Sequence, residues 1–263
     1  MRRAVLALLP LLVAAPLAAQ SHAPSGAASH GTPSAAAAHA PHWTYEGAEG
    51  PQAWGRIDPA WRTCSVGHEQ SPIDLGGAVA PHAARIEEKF IPSPFVLFHN
   101  GHTVQAALEK PSDLTAEGGH FNSLQFHFHH PSEHTIQGRA FPAELHLVHA
   151  NAKGELAVLG IFIAIGPKDN PELEALIARL PDHAGDSVRF RAPVDLAKLL
   201  DARATESEQV FTYHGSLTTP PCSEGVKWTV RARPITASFR QVQRLVGVLG
   251  ESARPVQPVY ARH

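Results

Sequence analysis

The sequence reads as a mainly β protein, folded as a single domain with a few short peripheral helices. Three observations carry that reading. Six runs alternate polar and apolar residues or concentrate β-branched and aromatic ones: FVLFHN (95–100), TVQAAL (103–108), SLQFHFH (123–129), AELHLVHA (143–150), LAVLGIFIAI (156–165) and VKWTVRA (226–232). That is the pattern of half-buried or fully buried strands. Only two stretches have helical spacing, and from Trp43 to Tyr260 no second linker and no repeat breaks the globular pattern. A chain of 263 residues can bury a sizeable core. With 43% hydrophobic and 17% charged residues it is no disordered chain. A formal net charge of −2 gives no general attraction to nucleic acid or to an anionic membrane, so neither is expected as a partner.

Taken in chain order, residues 1–20, MRRAVLALLPLLVAAPLAAQ, place Arg2 and Arg3 before an apolar core that ends in small residues. This is the pattern of a secretory signal peptide, too short and too broken by Pro10 and Pro16 for a membrane span. Cleavage is expected within residues 18–23. No Cys follows the apolar core, so no membrane anchor is expected. Residues 21–41 are Ala, Ser, Pro, Gly and His, a flexible linker by composition. His22, His30 and His39, with His42 just beyond, are capable of weak metal scavenging, but a solvated linker is the simpler reading. The domain then spans 42–263. An exported chain meets an oxidising compartment, where Cys64 and Cys222 are expected to pair; two buried free thiols are the alternative. Asn170 caps a helix that starts at Pro171, a residue suited to a first turn, and runs to Leu180. Thr236 or Ser238 opens a second helix, FRQVQRLVGVL (239–249), whose apolar residues recur at helical spacing.

The 18 histidines draw attention, because neutral imidazole is a common metal ligand. In the strand-like run FHFHH, residues i and i+2 share a face, so His127 and His129 point one way while Phe126, Phe128 and His130 point the other. Two imidazoles on one strand face suit a single ion. A third ligand has to come from a neighbouring strand, and AELHLVHA offers His146 or His149. Glu144 lies two residues from His146 on its face, placed to accept the second ring N–H, and Gln125 bears the same relation to His127. Metal-bound histidines usually donate their other nitrogen to such a group, which favours His146. Three neutral histidines with no Cys make the catalytic type of zinc site, with a fourth position open to water. Standing alone, H-x-H more often marks a hydrogen-bonded pair.

The ordered segments HWTY (42–45), EQSPIDL (69–75), HNGH (99–102), QFHFH (125–129), PSEHT (131–135), AELHLVH (143–149), LAVLGIF (156–162) and YHGSLTTPPCSEGVKW (213–228) resemble the alpha-class carbonic anhydrases over about residues 42 to 260. The resemblance implies a large twisted, mostly antiparallel central sheet. It implies Zn2+ held by His127, His129 and His146, and Cys64 paired with Cys222 as in secreted bacterial members, so the expected location is the bacterial periplasm. Cis bonds at Ser71-Pro72 and Pro220-Pro221 are implied as well. The implied reaction is reversible hydration of carbon dioxide to bicarbonate and a proton, with the small molecule as sole partner of a monomer or homodimer. In that scheme zinc lowers the pKa of its water from about 16 to about 7, generating the attacking hydroxide. Thr218 accepts from that hydroxide and donates to Glu133, because an ionised carboxylate only accepts. Val148, Val158, Leu217, Thr219, Val226 and Trp228 match the family's substrate pocket. His102 matches its proton-shuttle histidine, a solvent-accessible base working near its own pKa. Asn100, Gln105 and Tyr45 match the residues that order the intervening water.

Two positions depart from the family pattern. His130 stands where Trp is frequent, and it is expected to pack away from the metal. Ala253 stands where Trp commonly precedes Arg254-Pro255, which puts local packing in question and is expected to leave the metal chemistry untouched. His134 and His149 are expected to be buried structural residues. A catalytically inert relative serving as a binding module would be free to lose a ligand or the Thr218–Glu133 pair, and this chain keeps them all. A zinc buffer built on the linker is a further alternative, which deletion of residues 21–41 would separate from catalysis. A metalloprotease is disfavoured because no H-E-x-x-H is present.

Overall fold

Pro41 begins the part of the chain that the computed structural model describes, residues 41–260 except 78, 85, 117–118, 192–194 and 201–206. The expected signal peptide, and the expected linker up to residue 40, lie outside the described residues. In chain order the strands are β1 (Asp74–Leu75), β2 (His82–Ala84), β3 (Glu87–Lys89), β4 (Phe95–His99), β5 (Val104–Leu108), β6 (Asp113–Ala116) and β7 (Gly119–His129). They continue as β8 (Thr135–Ile136), β9 (Arg139–Ala140), β10 (Ala143–Ala150), β11 (Leu156–Gly166), β12 (Ser187–Phe190), β13 (Glu208–Ser216) and β14 (Glu224–Ser238). The helices are α1 (Trp54–Ile57), α2 (Thr63–Val66), α3 (Pro171–Ile177), α4 (Leu196–Leu199) and α5 (Phe239–Leu249).

Eleven strands make the main sheet, in the order β12-β4-β5-β7-β10-β11-β14-β13-β2 with β3 and β6 joined beside β7. Its pairs are antiparallel except β11 with β14, so the expected mostly antiparallel sheet forms. Strands β1, β8 and β9 make a small second sheet. All six expected strands are present. β14 runs six residues further than the expected end at residue 232, because the register with β11 shifts between Ile161 and Ile163 and carries Pro234 past the ladder. A bulge is where a proline can sit inside a sheet. β13 is not among the six expected strands, although its run VFTY (210–213) is rich in strand formers; it pairs with β14 and β2.

The sheet has two unlike faces. Leu145, Leu147, Leu159 and Ile161 join Leu173, Leu176 and Leu245 of α3 and α5 in the larger apolar core. Val148, Val158, Tyr213, Val226, Trp228 and Val230 form a smaller cluster. The two long helical patterns behave as expected at their starts. Asn170 Oδ1 accepts from the N–H groups of Glu172 and Leu173 at 3.1 Å each. Ser238 and Gln241 form a capping box at α5. The Gln241 side chain also accepts from Asn170 N at 2.8 Å and donates to Asn170 O at 2.9 Å, pinning the two helix starts together. α3 stops at Ile177 rather than Leu180, with Ala178 as its C-cap.

Cys64 and Cys222 are bonded across 158 residues, tying α2 to the loop between β13 and β14. The peptide bonds Ser71-Pro72 and Pro220-Pro221 are cis as the resemblance implied, and His130-Pro131 is cis as well. Replacing both cysteines by Ser is expected to lower unfolding free energy by about 3–5 kcal/mol on chain-entropy grounds. Urea titration of the variant beside the non-reduced wild type checks this, and titratable thiols in the denatured wild type would contradict the bridge.

Candidate metal centre

Four neighbouring strands build the site through their register. Gln105 of β5, His127 of β7, His146 of β10 and Gly160 of β11 stand side by side in one row. Since paired residues share a face, His146 projects beside His127, and His129 completes the group from the next row, where it pairs with Glu144. The ring centres of His127, His129 and His146 are 4.6 to 5.3 Å apart, and one nitrogen of each lies within 4.8 Å of the other two. His149 falls on the opposite face, fully buried, with Nε2 3.5 Å from Glu88 Oε1. His146, and not His149, therefore shares the face of His127 and His129.

Hydrogen bonds fix which nitrogen each ring presents. His127 Nδ1 donates to Gln125 Oε1 at 2.8 Å, His129 Nδ1 to the Ser252 carbonyl at 2.5 Å, and His146 Nε2 to Glu144 Oε1 at 2.9 Å. That leaves Nε2, Nε2 and Nδ1 with free lone pairs facing one another. His129 Nε2 is buried with no hydrogen-bond partner, an arrangement that costs free energy unless something accepts its lone pair. Burial pushes the His127 and His129 rings below the usual imidazole value, so both are neutral donors at pH 7. Burial acts the same way on His146, but the Glu144 carboxylate outweighs it and lifts the ring. Three imidazole donors with one orphaned nitrogen fit Zn2+ well.

Behind His146 runs a buried chain of polar groups. Glu144 accepts from His134 N at 2.9 Å and from His134 Nδ1 at 2.8 Å as well as from His146. Burial alone would raise its carboxyl, yet His134 and His146 override that and hold it well below the usual carboxylate range. Because His134 Nδ1 donates, its Nε2 accepts from Tyr213 Oη at 2.6 Å. Tyr213 in turn accepts from Ser71 Oγ at 2.9 Å, and Ser71 Oγ accepts from Ser216 N at 3.0 Å. Gly160 makes room for this: a Cβ there would meet Glu144 Oε1 at 3.0 Å. His134 is thus structural, as expected, and His130 turns to the Pro142 carbonyl, 2.6 Å from its Nδ1.

Glu133 is 1% exposed and accepts from Arg254 N at 2.9 Å through Oε1. Its Oε2 has no hydrogen-bond partner and lies 3.5 Å from His129 Nε2 and 3.9 Å from His146 Nδ1. The expected bond from Thr218 to Glu133 is therefore not made here, although Thr218 is buried; Oε2 turns to the imidazoles instead. Val148, Val158, Val226 and Trp228 are buried in one apolar cluster with Leu217 partly buried against it, and the Trp228 ring lies 4.9 Å from that of His146. Thr219 is half-buried, and its carbonyl accepts from Cys222 N at 2.9 Å.

His102 lines a cavity of about 360 Å3 together with His42, Trp43, Tyr45, Glu46 and Glu251. Its ring stacks on Trp43, centres 3.6 Å apart and planes 7° from parallel. Burial, then His42 and His99, lower its pKa below the usual imidazole value. Tyr45 Oη is buried without a partner, and burial followed by the Glu133 charge pushes its pKa well above 10.0, so it stays a donor. Asn100 Oδ1 accepts from His102 N and Thr103 N at 2.9 Å each, and its Nδ2 is 3.5 Å from Gln105 Oε1. Asn100 therefore shapes the turn that carries His102.

Sequence reasoning gave no role to Tyr213, Ser71 and Ser216, nor to Ser252 and Arg254, which reach His129 and Glu133 from 123 and 121 residues away along the chain. The segment around Ala253 also meets the site through its main chain, the Ser252 carbonyl holding a candidate ligand and the Arg254 N–H holding Glu133.

The chain was compared with known proteins. Residues 49–262 match the family model "Eukaryotic-type carbonic anhydrase". A carbonic anhydrase of Klebsiella pneumoniae is 39% identical over 226 residues, covering 85% of this chain and 90% of that protein. One from Nostoc sp. is 39% identical over 227 residues, covering 84% of each. Among solved structures, the alpha-carbonic anhydrase of Thermovibrio ammonificans, in complex with the inhibitor sulfanilamide, is 38% identical with a TM-score of 0.79 over 85% of this chain and 98% of that one. On sequence, fold and site together, the chain belongs to the eukaryotic-type, or alpha-class, carbonic anhydrase family, whose members hydrate carbon dioxide.

Proposed function

We propose that the protein is a zinc-dependent carbonic anhydrase interconverting carbon dioxide with bicarbonate and a proton. The convergence of three imidazole lone pairs, each fixed by a hydrogen bond on the far side of its ring, is the observation that carries this reading. His127 and His129 through Nε2 and His146 through Nδ1 would hold the ion. When bound, zinc supplies Lewis acidity that makes hydroxide available near neutral pH.

The protein's own groups do the rest. Glu133, buried, accepts a hydrogen bond from Thr218 once Oε2 is drawn off the imidazoles, which leaves the Thr218 oxygen to accept from the nucleophile and orient it. Val148, Val158, Leu217, Val226 and Trp228 give carbon dioxide an apolar wall, and an uncharged linear molecule needs no charged clamp. His102 takes up the proton at a ring nitrogen and releases it to buffer at the mouth, through water ordered by Tyr45 and Gln105. Export under the residue 1–20 signal, followed by the 21–41 linker and the 42–263 domain, places this activity in the periplasm. Among the described residues no helix is long and apolar enough to cross a membrane.

Stopped-flow carbon dioxide hydration on metal-quantified protein is the direct test. The wild type is expected to be active with about one zinc per chain, and His146→Ala to lose the metal and fall to near background. An active wild type without zinc, or a fully active variant, would overturn the mechanism. His102→Ala is expected to lower turnover at least about tenfold in weak buffer and to be partly restored by added imidazole. The sign of its pH dependence follows from burial. A lowered pKa keeps the His102 ring able to accept a proton to lower pH, so the His102-dependent rise in turnover is expected to have its midpoint below 6.5. A midpoint at or above that value would contradict the assignment.

A further inference from the structure

Ser252, Ala253 and Arg254 form an extended strap with no regular secondary structure, and it lies directly behind the site. The strap is stitched to the end of β7, with Ser252 N donating to His130 O at 2.7 Å and Ser252 Oγ accepting from His130 N at 3.0 Å. From it come the Ser252 carbonyl that holds His129 and the Arg254 N–H that holds Glu133. A strap without a ladder of its own has to be fixed from outside.

The Arg254 side chain does that fixing. It is 2% exposed. Its Nη1 donates to the Ser71 carbonyl at 2.7 Å, and its Nη2 donates to the Cys64 carbonyl at 3.0 Å and to Gln70 Oε1 at 2.9 Å. The guanidinium also lies 5.7 Å from the centre of the Trp54 ring. Three acceptors on two prongs of a planar fork demand a rigid, pre-shaped donor, a geometry that an ammonium on a flexible stem does not reproduce. The acceptors are themselves anchored: Cys64 by its disulfide, and Gln70 by donating to the Cys222 carbonyl at 3.1 Å.

We infer that Arg254 is a positioning residue for the metal centre, whose guanidinium fork locks the 252–254 strap against residues 64–71 and so sets both the His129 ring and the Glu133 carboxylate. It touches neither substrate nor ion and acts through the strap's own backbone. The inference rests on the zinc reading above. Groups that position a ligand from behind typically change metal affinity or activity by about 10-fold to 100-fold when lost.

The test compares wild type, Arg254→Met and Arg254→Lys as full-length zinc-loaded protein with the disulfide intact. Zinc release to a chromogenic chelator is followed beside thermal unfolding and the kcat and KM of carbon dioxide hydration. Expected for both variants is release faster by at least about tenfold and a fall in kcat with little change in KM. Arg254→Lys is expected to resemble Arg254→Met, because it keeps the charge and loses the fork. Variants that only melt earlier, with wild-type release and kcat, would reduce Arg254 to a stability element. Rescue by Lys would overturn the fork and leave charge as its role. If neither variant folds, Gln70→Met removes one of the three acceptors, and unchanged zinc release in it would overturn the inference. A wild type that carries no zinc at all would sink the metal reading first, and this inference with it.

Discussion

The Glu144 carboxylate is the group on which the site depends. A carboxylate with no solvent exposure is tolerable only when its oxygens are filled by donors, and here they come from His134 twice and His146 once. That demand dictates everything downstream. His146 has to carry its proton on Nε2, so its Nδ1 lone pair faces forward. His134 has to carry its proton on Nδ1, so Tyr213, Ser71 and Ser216 must donate in one direction along the chain. Even the glycine in the middle of β11, a poor choice for a central strand by propensity, is there to give that carboxylate room.

The surroundings of His146 and of His102 are governed by different physics. Beside His146 the Trp228 ring belongs to an apolar cluster with Val148, Val158 and Val226. Around His102 the lining carries Glu46, Glu251 and His42, groups at home in contact with solvent. The Trp43 ring gives the His102 ring a flat surface to lie against, and the cavity they share lies beside Tyr45.

Much of this was legible in the sequence, and the reason is distance along the chain. Strand alternation alone put His127 and His129 on one face, and the two-residue spacing of Gln125 and Glu144 from their histidines predicted both hydrogen bonds, because partners two apart in a strand are adjacent in space. Asn170 announced its helix through capping, as did Ser238 of the two candidates Thr236 and Ser238. What could not be read came from far away. Pro234 lies within β14 because a bulge removes it from the ladder. His129 has no side-chain partner near it in sequence; its acceptor is a backbone carbonyl 123 residues later, and a carbonyl leaves no mark on residue type. The Thr218–Glu133 pairing, inferred from resemblance, is not made in this structure, since Glu133 Oε2 faces the histidines.

The 252–254 strap also has a consequence in time. By residue 146 all three candidate ligands have been synthesised, and β7 and β10 are able to pair. His129 nevertheless has no acceptor for its Nδ1 proton, and Glu133 no N–H to hold it, until the chain has grown by more than a hundred residues and the strap has folded back along β7. A chain made only to residue 146 therefore holds the groups that orient His127 and His146, Gln125 and Glu144, but not the carbonyl that orients His129. The full set of hydrogen bonds around the three histidines and Glu133 is thus complete only when residues 252–254 have been made and lie along the end of β7, with Arg254 seated against residues 64–71.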